Sequence, residues 1–367
     1  MADTDSRQSG VSRRQVLRAL GNSAAPLAVG PWCARPLCAA QPAQTARFFF
    51  VTDTHYLAQK SQPARMDARS AGACRRLVDT LNRLEGEQIP GPAGGGMVGT
   101  VDGVIHGGDL VDSADKRGGP YTAMIATEFA AFERDYGLTG RDGRLRYPVF
   151  EVHGNHDGPQ GDTLVVDGIR RRNLTRPGLT RISDRGLHYS WDWGPVHFIN
   201  LGIVVGESGG GLQRRRYAPH GSLAFLREDL RAVNDVHRPV VITQHIDVAR
   251  YSLPYGQDED RFLHMEWHPQ DVRSFHAAIR PQHVIANFFG HTHARNVSGW
   301  KGSQKKTAFQ AGEMDLFNGD NASHFRSDQQ AVFYVEISAA AMLVREIQTA
   351  DAWQTHHWTE QTWSKEI

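Results

Sequence analysis

The chain has 367 residues, of which 40% are hydrophobic and 22% charged. That is the composition of a globular protein, and it excludes a disordered tail, a collagen and a small disulfide scaffold. Forty-one basic residues against 40 acidic ones leave a formal net charge of +1, so no global field directs the chain to nucleic acid or to an anionic membrane. No apolar run approaches the roughly 20 residues of a membrane span.

Residues 1–40 read as an export leader. Ser12-Arg13-Arg14-Gln15-Val16-Leu17 is followed by small and weakly apolar residues broken by Pro26, Pro31 and Arg35, which resembles a twin-arginine signal. Cys38-Ala39-Ala40 offers a cleavage site, so the mature chain is expected to be residues 41–367, one domain, periplasmic or secreted, soluble and without stable membrane insertion. Its first partner would be the export machinery. Only Cys74 of the three cysteines lies in this mature part, so no internal disulfide is available.

Phe48-Phe49-Phe50-Val51 is a short apolar run ending at Asp53, which predicts a buried strand. Ala71, Cys74, Leu77, Val78, Leu81 and Leu84 recur at helical spacing over 68–84. A glycine-rich connector over 91–99 follows, with no GK[ST] after it. The spacing then predicts a strand over 101–105, a helix over 121–136 and a strand over 148–152. Residues 158–186, rich in Arg, Gly and Asp, read as a long loop or small insertion, and 206–220 as another. A hairpin is expected over 188–201, turning at Gly194-Pro195, and a helix over 223–233 with Ser222 as N-cap. Strands are expected at 239–243, 283–289, 307–311, 331–337 and 342–347. Helices alternate with strands early and hairpins accumulate late. The fold class expected is α/β, two packed mixed β-sheets flanked by helices.

Five apolar runs end in polar, metal-competent residues: Asp53 and His55; Asp109 and Asp112; Asn155, His156 and Asp157; His245; His291 and His293. The carboxyl ends of strands converge on the ligand crevice in α/β sheets, and five runs ending this way are hard to explain by packing, because buried polar groups cost free energy unless paired or bound to metal. Imidazole and carboxylate together suit zinc, iron or manganese. The absence of cysteine argues against a structural zinc site. The donors outnumber what one tetrahedral ion needs, so two ions are expected.

Taken in order, Asp53-Thr54-His55, Gly108-Asp109-Leu110-Val111-Asp112, Gly154-Asn155-His156-Asp157, His245 and Gly290-His291-Thr292-His293 resemble the five blocks of the calcineurin-like metallophosphoesterase family, over about Phe48 to Ile347. The resemblance implies a four-layer αββα sandwich and a binuclear metal-dependent phosphoester hydrolase. It implies that Asp53, His55 and His293 hold one metal, that Asp109 bridges, and that Asn155, His245 and His291 hold the second. A water or hydroxide shared by the two ions would attack phosphorus. His156 would bind the phosphoryl oxygen and protonate the leaving group, with Asp112 as the carboxylate paired to it, and Asp157 would have a structural role. Asp112 stands where purple acid phosphatases carry tyrosine, so a tyrosinate–iron bond is not expected. Ser113 and Ala114 after Asp112, and Asp157 in place of Glu, depart from protein serine/threonine phosphatases.

The function expected is a phosphomonoesterase on a small phosphorylated metabolite. The alternatives are a phosphodiesterase on cyclic nucleotides or glycerophosphodiesters, and an inactive metal-binding module, which the presence of His156 and Asp109 disfavours. Arg170-Arg171-Arg172 and Arg214-Arg215-Arg216 read as solvated surface, with an anionic-substrate rim as the functional alternative. His106 and His153 are expected behind the site. Tyr56 and His188 either line its wall or pack in the core.

Overall fold

The computed structural model describes residues 44–207, 215–250, 266–302, 306–309 and 314–367. The leader expectation over 1–40 lies outside them, as do residues 310 and 311 of the strand expected over 307–311; of its described part, 307–309, Thr307 forms a single bridge with Gly299 and no strand is made. Residues Gln41–Ile367 form one compact unit.

Two mixed sheets face each other. The first runs β15–β14–β13–β1–β4–β5, from β1 (Ala46–Val51), β4 (Gly103–His106), β5 (Val149–Glu151), β13 (Gln330–Ile337), β14 (Ala341–Thr349) and β15 (His357–Glu366). The second runs β11–β12–β10–β9–β8–β7–β6, from β6 (Leu179–Ile182), β7 (Tyr189–Trp193), β8 (Val196–Asn200), β9 (Val240–Thr243), β10 (Val284–Phe289), β11 (Asn296–Trp300) and β12 (Met314–Asn318). A short ribbon pairs β2 (Ala58–Gln59) with β3 (Gln62–Met66).

The alternation of β1 shows how the layers arise. Phe48 and Phe50 face the second sheet and meet Phe198, Phe288 and Trp191 in the inter-sheet core. Phe49 and Val51 face the other way, onto α1 (Ala68–Leu84), α2 (Tyr121–Tyr136) and α3 (Leu164–Thr175). On the far side, α4 (Ser222–Val233) and α5 (Pro269–Ile279) cover the second sheet through Leu226, Leu230, Val272 and Phe275. The four-layer α/β/β/α architecture is therefore as expected.

Parallel pairing decides where the chemistry goes. β1, β4 and β5 are parallel neighbours, and so are β8, β9, β10 and β12. Each of these strands releases its carboxyl end at one edge of its sheet, and the two edges are tied together by Ala322 N–H donating to Thr52 O at 2.8 Å.

Two expectations change, and one open choice resolves. Residues 158–186 are not a long loop: they hold α3, capped by the Thr163 hydroxyl, and β6. The arginine run hid the helix, because Arg172 is not solvated. It is buried against Glu151 at 2.7 Å. Ser222 is not the N-cap of α4. Gly221 holds that place in the left-handed region, while the Ser222 hydroxyl donates to Val204 O and accepts from Gly206 N–H. Tyr56 and His188 do not line the cleft. Tyr56 is buried with its hydroxyl on Asp135, and His188 is buried with Nε2 at 3.2 Å from His220 O.

Candidate metal centre

The five expected blocks meet at the shared edge. The loop after β1 is stitched to the loop after β4 by Asp53 N–H to Gly108 O (3.0 Å) and His55 N–H to Asp109 O (3.1 Å). The loops after β9 and β10 are joined by Gly290 N–H to His245 O (3.0 Å). Asp53, His55, Asp109, His291 and His293 all have positive φ, between 46° and 74°. Non-glycine residues rarely adopt that region, and such strain collects at functional sites. The glycines of the blocks make room. A Cβ on Gly154 would strike the Asp109 carboxylate, and one on Gly290 would strike Thr52 and Asp53.

Asp109 Oδ2 is the common point. It lies 3.6 Å from His55 Nε2 and 3.1 Å from His245 Nε2. On one side His293 Nε2 is 3.2 Å from Asp53 Oδ1 and 3.1 Å from His55 Nε2. On the other, His245 Nε2 is also 3.2 Å from Asn155 Oδ1, and the His291 ring stands 5.3 Å from that of His245. Asp53, His55, Asp109 and His293 each bring one donor atom within 4.8 Å of the others, and so do Asp109, His245 and His291. Two half-sites thus share one carboxylate oxygen. All donors are nitrogen or oxygen, a set that fits zinc, iron or manganese.

Groups behind the donors fix their rings, as outer partners of metal ligands do. His245 Nδ1 meets Gly107 O at 2.8 Å, which leaves Nε2 for the centre. Asp112 Oδ1 is 3.3 Å from His55 Nδ1. Glu266 Oε1 is 2.7 Å from His291 Nε2, leaving Nδ1 of that ring for the centre. Asp53 accepts from the His291 backbone N–H and from the Thr52 hydroxyl. Asp157 has the structural role expected of it: its carboxylate accepts from the N–H groups of Leu110, Val111 and Gly154. His106, behind the cluster, bonds Thr54 and the Gly108 N–H. His153 is buried, and neither of its ring nitrogens has a partner among the described residues.

The electrostatics are those of carboxylates facing imidazoles. Burial works against charge on His55, yet Asp112, Asp53 and Asp109 raise its pKa to about 9. Burial and Asp109 act the same way on His245, also to about 9. Burial likewise opposes charge on Asp109 and Asp53, but the surrounding histidines hold both carboxyls well below the usual range. Asp157, buried and facing the Asp109 charge, is pushed up to about 7.

The expected pairing of Asp112 with His156 is not what the structure shows. The Asp112 carboxylate is taken by His55 and by Lys116 Nζ at 2.6 Å. His156 Nδ1 meets the backbone oxygen of Asp112 at 3.1 Å and the Asp115 carboxylate at 3.5 Å. Burial disfavours the His156 cation, but Asp109, Asp115 and the Asp112 carbonyl raise its pKa to about 10. Sequence reading missed Asp115, Glu266 and His324. The His324 ring lies 4.4 Å from that of His55 and 4.7 Å from that of His293. A cavity of about 460 Å³ opens beside the cluster, with His55, His156, His293 and His324 on its wall. Of the second arginine run, Arg215 is spent on Asp271 (2.6 and 2.9 Å), and Arg216 stands 3.9 Å from Glu266.

The sequence profile described as calcineurin-like phosphoesterase matches residues 46–295. Purple acid phosphatase 23 of Arabidopsis thaliana is 30% identical over 152 residues, 41% of this chain and 29% of that protein; the match thus spans less than a third of the relative. Among solved structures, a dimetal phosphatase from Danio rerio has a TM-score of 0.49 at 14% identity, covering 84% of this chain and 97% of its own. The structure titled PhoD has a TM-score of 0.47 at 10% identity, covering 89% of this chain and 71% of its own. With a family match over most of its length and an Asp/His cluster able to hold metal, the chain belongs to the calcineurin-like phosphoesterase family.

Proposed function

We propose that the chain is a phosphomonoesterase acting on a small phosphorylated metabolite through two transition-metal ions. Asp53, His55 and His293 would hold one ion, Asn155, His245 and His291 would hold the other, and Asp109 would serve both. The observation that carries this reading is the placement of Asp109 Oδ2 between His55 and His245. When bound, the ions supply Lewis-acid polarisation of the phosphoryl group and an acidified water.

The remaining steps fall to the chain's own side chains. His156, held at Nδ1 by Asp112 O and Asp115, keeps Nε2 as its second donor and sits on the cavity wall. Its raised pKa keeps it protonated, which suits a proton donor to the departing oxygen. A monoester dianion brings more negative charge than a diester. The cavity answers with protonated His156 on its wall, which favours the monoester. Export by the twin-arginine route belongs to the same proposal, and the Arg13-Arg14 pair supports it.

The test compares metal-reconstituted protein on p-nitrophenyl phosphate and bis-p-nitrophenyl phosphate, with and without a chelator. Dominant, chelator-sensitive monoester turnover is expected. Dominant diester turnover would reverse the choice.

A further inference from the structure

The cavity beside the cluster is built largely by a segment that belongs to none of the five blocks. Between β12 and β13, Asp320, Asn321, His324, Arg326, Ser327 and Gln329 all reach its wall. Every residue that lines the cavity is polar or charged; no aliphatic side chain, Phe, Tyr or Trp contributes. Its volume, about 460 Å³, lies within the range of small-ligand sites, about 300–1,000 Å³.

Three groups on this wall have unused hydrogen-bonding capacity. The Asn321 amide is oriented by its Nδ2, which donates to Asp320 Oδ1 at 2.9 Å and to Gln329 O at 3.5 Å. Its Oδ1 is buried and has no donor among the described residues, and the residue is only 5% exposed. The Gln329 side-chain amide and the Arg326 guanidinium have no hydrogen-bond or carboxylate partner among the described residues; Arg326 lies over the Phe325 ring. His324 links this wall to the metal cluster. Its Nδ1 accepts the Arg326 backbone N–H at 3.1 Å, so the ring proton sits on Nε2. With Nδ1 occupied and Nε2 protonated, His324 is a hydrogen-bond donor beside His55 and His293 rather than a further metal ligand.

We propose that the 319–329 segment is a leaving-group subsite for a hydroxyl-rich alcohol, so that the substrate class is a sugar or polyol monophosphate. The inference rests on the phosphomonoesterase reading above. An aryl or alkyl leaving group would cover Gln329 and Arg326, both exposed, without giving them partners, and burying unpaired polar groups is costly. A second phosphate is disfavoured because Asp320 stands on the same wall as Arg326, and Lys116 is already paired with Asp112. Hydroxyl groups, which both donate and accept, can satisfy the Gln329 amide, the Arg326 guanidinium and the Asp320 carboxylate together. His324 Nε2–H then stands where the phosphoryl group and the sugar meet.

The experiment uses the full, metal-reconstituted protein. It measures kcat/KM for glucose 6-phosphate, glycerol 1-phosphate, phenyl phosphate and hexyl phosphate, with bis-p-nitrophenyl phosphate alongside. The two hydroxylated esters are expected to exceed phenyl and hexyl phosphate by about tenfold or more, the effect of one or two net hydrogen bonds. Gln329→Leu, at an exposed position that leaves the fold intact, should lower that ratio about 3- to 10-fold, chiefly through KM. Phenyl or hexyl phosphate turned over as well as the sugar phosphates overturns the subsite and leaves the phosphomonoesterase standing. A ratio unmoved by Gln329→Leu does the same. Cleavage of the diester with no turnover of any monoester overturns both.

Discussion

The Asp112 carboxylate stands 3.3 Å from Nδ1 of His55, with Lys116 Nζ at 2.6 Å. Burial would raise its pKa, but the His55 and Lys116 charges hold it at about 2. Asp112 therefore acts on the metal centre by orienting His55 so that Nε2 points at Asp109. Asp112→Asn is expected to weaken metal binding about 10- to 100-fold, the usual cost of losing such a partner. Metal titration of the apoprotein checks this. Unchanged affinity with a shifted pH–rate profile would return Asp112 to His156.

Asp109 Oδ2 faces both half-sites, so its removal should cost more than the removal of a donor from one. Asp109→Ala is expected to release both ions, whereas Asn155→Ala should release chiefly the one held with His245 and His291. Metal content per chain by elemental analysis distinguishes the two. Two ions retained in Asp109→Ala would refute the bridge.

His156 owes its raised pKa to Asp109 and Asp115 and to the Asp112 carbonyl, against the effect of burial. His156→Ala should keep its metals and lose about 10²–10⁴-fold in turnover of esters with poor leaving groups. Asp115→Asn removes one of the charges that favour the cation. The alkaline limb of the pH–rate profile should then move to lower pH, toward the ordinary histidine value of about 6.5. An alkaline limb that stays in place would separate Asp115 from proton transfer.

The sequence discloses this centre unevenly, for physical reasons. Asp53, His55, Asp109, Asn155, His291 and His293 sit where an apolar strand stops, and that break in pattern is visible without a structure. Glu266, Asp115 and His324 stand alone in the segments that precede α5, precede α2 and join β12 to β13, and only the fold brings them near the cluster. The helix over Leu164–Thr175 was obscured for a related reason: Arg172, a charged residue, occupies its inner face because Glu151 is there to meet it. Likewise β15 carries mostly polar residues, being an edge strand with only one side packed, so its sequence lacks an apolar run.

That same Glu151 gives a stability prediction. It ends β5, four residues before Asn155, fully buried, with Oε1 at 2.7 Å from Arg172 Nε and from Arg176 Nη2. Burial alone would raise its pKa, but the two guanidiniums lower it to about 2. An unfolded glutamate titrates near about 4.3, so the native state holds its proton less tightly than the unfolded one. The stabilisation is thus fully present above about pH 4.5 and is lost as pH falls toward about 2, and it amounts to roughly 3 kcal/mol. Glu151→Gln removes this dependence and leaves two buried guanidiniums without their anion, at a cost of about 3–5 kcal/mol at neutral pH. Urea denaturation of both proteins from pH 7 to 3 should show the wild type losing its advantage only below about pH 4.5. Other carboxylates titrate in that range too, so the quantity to follow is the difference between the two proteins. A difference constant across the range would mean that the ion pair is not the source.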